Sequence, residues 1–85
     1  MFAASAIDFV EGDNHYADPD YVPKNEIWIN DEVAPAYWKY IFAHELHEAT
    51  DMRDHKMPYE EAHKKADKLE WQMRIDDVLE VLNAR

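Results

Sequence analysis

The stretch "FAHELHEAT", Phe42 to Thr50, crowds His44, Glu45, His47 and Glu48 into five residues. His44 and Glu48 are four apart, the spacing that brings two side chains to one side of an α-helix. At roughly 100° per residue, Trp38, Phe42, Leu46 and Ala49 form the expected apolar stripe of that helix, flanked by Ile41 and Met52. Glu45 falls inside the apolar arc, Glu48 lies beside it, and His44 comes next on the same side. His47 points away, toward Tyr40 and Asp51. Acids and an imidazole along a core-facing edge need partners, because burying them unpaired is costly.

Outward from this stretch, "NDEVAPAYW" predicts the helix start: Asn30 or Asp31 as cap, acids in the first turn and Pro35 at an early position. "RDHKM" marks its end, since Pro58 cannot continue it. Pro58 then opens a second helix, with Glu60 and Glu61 at its positive end, predicted from Tyr59 almost to Ala84. Upstream, "NEIWIN" places Ile27, Trp28 and Ile29 in a strand. "HYADPDYVPK", broken by Pro19 and Pro23, reads as a loop. "SAIDFVEGDN" alternates through Ile7 and Phe9 and reads as a strand ending in a turn at Gly12, the only glycine. The order β-β-α-α predicts an α+β fold: a short sheet of two or three strands packed on a helical hairpin, as one domain over residues 1–85.

The second helix repeats the pattern of the first. Its stripe is Tyr59, Ala62, Ala66, Leu69 and Met73, with His63 and Glu70 on the edge one heptad apart. Helices joined by a short turn pack stripe on stripe, so the polar edges meet. Ala62 and Ala66 leave room between them, and Tyr59, His63 and Glu70 complete one wall. His44, Glu48 and His63 are the predicted ligands of a divalent ion, Glu70 and His47 further candidates as ligand or support. Imidazole with carboxylate suits zinc, and also iron or manganese. His15 reads as a loop histidine and His55 as part of the interhelical turn. The competing account is a hairpin whose His and Glu residues merely pair, as His44 and Glu48 can at this spacing.

Composition narrows the field. A hydrophobic fraction of 47%, with three Trp, five Tyr and three Phe, predicts a folded chain. The absence of cysteine excludes disulfides, thiolate ligands and cysteine nucleophiles. With 19 acidic against 9 basic side chains the net charge is −10, which disfavours nucleic acid and anionic membrane surfaces. The N-terminal sequence lacks the basic and apolar regions of a signal peptide, and no segment has the length of a membrane span, so a cytoplasmic location is expected.

His44 and Glu45 open the HExxH pattern of zinc metallopeptidases, with Glu48 where the second histidine belongs. Together "EIWIN", "AHELHEA" and "PYEEAHKKADKLE" resemble small prokaryotic and phage-type proteins of zincin-like, metallopeptidase character, over about Tyr21 to Arg74. The resemblance implies a minimal zincin-like fold, an edge strand preceding the metal helix, a peptide substrate, His44 as first ligand and Glu45 as general base. The Glu48 departure leaves hydrolysis an inference by analogy. Two other metal patterns fit less well. Glu60 and His63 have the spacing of di-iron bundles, but the first helix offers no such pair. "ELHE" has the ExxE spacing of all-α nucleotide pyrophosphatases, whose ExxD partner appears only reversed, in "DKLE".

Finally, Trp71, Ile75, Val78 and Leu82 form a second stripe, roughly opposite the first. Either the chain bends this end back onto the strands, or the stripe is a homodimer or partner surface. The latter supports a different class of function: a small acidic, non-enzymatic binding or inhibitor protein.

Overall fold

In the computed structural model, which describes residues 2–3 and 11–83, two antiparallel helices carry a small sheet. Helix α1 runs Trp38–Asp54 and α2 runs Tyr59–Asn83. Between them Lys56 adopts a left-handed backbone (φ 54), while the amides of His55 and Met57 both return to the Asp51 carbonyl. This is the way a helix closes its last carbonyls before a proline. Glu60 and Glu61 occupy the first turn of α2, where the positive end of the helix favours them.

α1 begins later than the sequence predicts. Asn30 does not cap it: its side chain accepts from the Glu32 amide and its carbonyl from Val33, folding residues 30–33 into a turn of their own. A single 3-10 turn over Pro35–Tyr37 then leads into α1. Proline's fixed φ suits that first turn.

The sheet has the order β1 (Phe2–Ala3), β3 (Ile27–Ile29), β2 (Gly12–Asn14) among the described residues. β1 pairs parallel to β3, and β2 pairs antiparallel with Gly12 opposite Ile29 and Asn14 opposite Ile27. The fold is α+β, as read. The strand at Ile27–Ile29 lies where predicted. The strand expected through Ile7 and Phe9 falls outside the described residues. Gly12 is not a turn residue but the first residue of β2. A Cβ there would lie 2.6 Å from Ile41 Cγ2, 3.0 Å from the Trp28 carbonyl and 3.2 Å from Glu45 Cγ. Glycine is what lets this edge strand lie against α1.

The larger correction concerns which face of α1 is buried. Leu46 is 47% exposed, and Trp38, Phe42 and Ala49 are only half-buried. The buried positions are Tyr40, Ile41, His44, Glu45, Glu48 and Asp51. Among the described residues the buried apolar side chains are Val22, Ile27, Ile29, Ile41, Ala62 and Ala66, with Tyr40 at their edge. No helix among the described residues is long and apolar enough to cross a membrane.

Candidate metal centre

Three elements converge beside Ile41. The i, i+4 spacing sends His44 and Glu48 from α1 to the same side, and α2 presents His63, Asp67 and Glu70 across from them. Close helix approach is possible because the α2 residues behind the cluster, Ala62 and Ala66, are small and fully buried. From the third side β2 delivers Asn14, 1% exposed. The result is a groove of about 780 Å³ lined by Asp13, Glu45, Tyr59, His63, Glu70 and Trp71, among others.

At its centre are three donor atoms. His44 Nε2 lies 3.3 Å from both His63 Nδ1 and Glu48 Oε2, and His63 Nδ1 lies 2.8 Å from Glu48 Oε2. These are the three ligands predicted from sequence, and their donor atoms are close enough to share one ion. Glu45 Oε2 stands 3.8 Å from His44 Nε2, next to the triangle rather than in it. Glu70 faces the other side of the His44 ring, with Oε1 3.1 Å from Nδ1. His47 is elsewhere: its Nδ1 sits 3.3 Å from Asp51 Oδ2, away from the cluster. His55 also turns to Asp51, and His15 Nδ1 meets the Val22 carbonyl at 2.8 Å within the β2–β3 loop.

Asn14, Asp13, Asp67 and Arg74 were not read from the sequence. Asn14 Oδ1 accepts from the amides of Tyr16 and Ala17, which fixes the amide orientation. Its Nδ2 therefore points at the acids, donating to Glu45 Oε1 at 2.9 Å and Glu48 Oε1 at 3.0 Å. Nothing local in "GDNHY" announces this role, 31 and 34 residues from its partners. Asp67 and Arg74 were more legible: each stands four residues after a residue already singled out, His63 and Glu70. Asp67 spans both imidazoles, 3.4 Å from His44 Nδ1 and 3.5 Å from His63 Nε2. Arg74 grips Glu70 Oε2 at 2.8 Å and lies over the Tyr40 ring, 4.7 Å from its centroid.

So many acids in so little water shift their proton affinities. Burial pushes the Glu45 carboxyl up to about 7, helped by the Glu48 charge and opposed by the Asn14 hydrogen bond. Burial raises Asp13 to about 6, with help from Asp18. For His44, burial works against the charged ring, but the hydrogen bond to Glu48 and the charges of Glu45, Glu48 and Glu70 prevail and push it up to about 9. Glu48 is drawn below its usual range despite burial, because His44, His63 and Asn14 all bond its charged form. Without an ion, a proton on His44 supplies the positive charge this cluster needs.

The chain matches no known protein family, no curated protein and no solved structure. The reading of the site therefore stands on its own residues.

Proposed function

We propose that the protein binds a divalent metal, preferentially zinc, through His44, Glu48 and His63, and hydrolyses peptide bonds with Glu45 as general base. The observation that carries this reading is the donor triangle of 3.3, 3.3 and 2.8 Å. Two metal–ligand bonds of about 2.1 Å at a tetrahedral angle put their donors roughly 3.4 Å apart. The set is also chemically apt, since two imidazoles and one carboxylate leave a fourth position open, as in catalytic zinc sites. The His44–Glu45 opening of the HExxH pattern points the same way, with Glu48 where the second histidine would stand.

When bound, the ion would polarise a carbonyl and acidify a water. The remaining work falls to the chain. Glu45, buried beside the donor triangle, stands where it would accept a proton from water and pass it to a leaving amine. Asn14 holds Glu45 and Glu48 in fixed relation. β2, an edge strand among the described residues, runs along the groove in which a peptide would lie. Tyr59, whose hydroxyl is held protonated by burial and by the nearby acids, lines the same groove and stacks on His63 at 5.4 Å.

Glu45→Gln separates the roles. It should leave zinc affinity nearly intact and abolish cleavage of a fluorogenic peptide library. A collapse of zinc binding in this variant would make Glu45 a ligand and overturn the assignment.

A second reading is favoured by the exposed stripe of α2: a non-enzymatic binding protein that docks a partner or its own copy through Trp71, Ile75, Val78 and Leu82. Trp71, 66% exposed, is the natural anchor. The two readings are separable, because the stripe lies mainly beyond the donor triangle.

A further inference from the structure

The His44 ring has two nitrogens, and only Nε2 belongs to the triangle. Its side chain is 7% exposed, and Nδ1 is buried without a hydrogen bond. Yet two carboxylate oxygens stand within reach of that atom, Glu70 Oε1 at 3.1 Å and Asp67 Oδ1 at 3.4 Å. These are again the spacings that donors adopt around a shared ion, roughly 3 Å or a little more. An N–H held only for orientation would be aimed at one of the two acids, and it is aimed at neither.

We propose that His44 Nδ1, Asp67 and Glu70 form a second divalent-cation position, so that one buried imidazole serves an ion on each nitrogen. The proposal rests on the first site in sharing His44. The three donor atoms lie close enough together to hold one ion. Glu70 is fixed for the task, its other oxygen gripped by Arg74. Asp67, 51% exposed, opens the position to water, which would complete the coordination. Charge favours occupancy. Glu45, Glu48, Asp67 and Glu70 surround two histidines, and among the described residues Arg74 is the one permanent cation lining this groove. Occupation of both nitrogens requires the ring to give up both protons, so the pair of positions favours zinc over magnesium, which binds imidazole poorly.

The test is a zinc titration of metal-free protein at neutral pH, followed by elemental analysis after desalting. Wild type should hold two zinc ions per chain. Asp67→Asn and the pair Asp67→Asn with Glu70→Gln should each hold one, and His63→Ala should also hold one, in the second position. Circular dichroism checks that each variant keeps its helices, and Asp67→Asn, at a half-exposed site, is the variant least able to disturb them. One zinc in wild type, with the Asp67 and Glu70 variants weakened about tenfold or more but unchanged in number, would overturn the proposal: these acids would then only orient the ring. No zinc in wild type would overturn the first site as well, which distinguishes the two failures.

Discussion

Along the first half of α2, Ala62 and Ala66 are fully buried, and His63 and Glu70 lean on acid and imidazole groups from α1. Along the second half, Trp71, Ile75, Val78, Leu79, Val81 and Leu82 are 47 to 66% exposed. The first half of α2 thus buries two small alanines and turns partly covered His63 and Glu70 toward α1, while the second half leaves its large apolar side chains exposed. The exposed run is what departs from ordinary packing. The buried half makes sense when its charges compensate one another across the hairpin. The exposed half is the surface proposed above to dock a partner.

The strongest way to break this contrast is to unbalance the buried half. Glu48 is 2% exposed and serves Asn14, His44 and His63 at once. Glu48→Ala leaves those groups buried and unpaired, so the metal-free protein should lose about 3–5 kcal/mol in chemical denaturation. A loss under about 1 kcal/mol would mean that water already solvates the cluster. Next comes the seating of β2. Gly12→Ala pushes a methyl into Ile41 and the Trp28 carbonyl and should cost about 1–3 kcal/mol, with weaker zinc binding as Asn14 withdraws. Unchanged zinc affinity in a destabilised variant would remove Asn14 from the account of the site.

Acidity sharpens the contrast without mutation. Asp13, Glu45 and His44 all bind protons more tightly folded than unfolded, with folded values of about 6, 7 and 9 against 3.8, 4.5 and 6.5. Each such contribution is complete below the unfolded value and is lost as pH rises through the folded one. Glu48, whose pKa is lowered, acts oppositely, contributing above 4.5 and failing in stronger acid. The metal-free protein should therefore be most stable at about pH 4 and weaken steadily toward pH 9, read as a falling denaturation midpoint. Zinc competes with the same protons, so its stabilisation should grow over that range. A flat metal-free profile would deny that the acids converge. The smallest effect belongs to the exposed half. Trp71→Ala should change monomer stability by no more than about 0.5 kcal/mol, while sedimentation of concentrated wild type, but not of the variant, should reveal the association that the stripe implies.

The helices, the Ile27–Ile29 strand and the proline that divides the hairpin were legible because each has a local signal: periodicity, β-branching, a fixed φ. The residues of the donor triangle were legible for a related reason, since i, i+4 spacing on α1 and the edge position of His63 on α2 need no tertiary knowledge. What misled was the assumption that the most apolar face of α1 is the buried one. Phe42, Leu46 and Ala49 suggested a core face, yet the chain buries Ile41, His44, Glu45, Glu48 and Asp51. Periodicity reports where a helix would pack if packing were its only task, and it fails where a polar site takes the interior. Gly12 and Asn14 were hidden for another reason: their roles exist only once β2 has docked on α1, and no neighbour in sequence records that approach.

The central claim is that the buried polar half is a metal site. Elemental analysis of tag-free protein beside His44→Ala tests it most directly. The account predicts at least one zinc per chain in wild type and none in the variant, since His44 belongs to both donor sets found among the described residues. Sub-stoichiometric metal, unchanged by the substitution and not restored by added zinc, would contradict it and leave the cluster a network of paired charges.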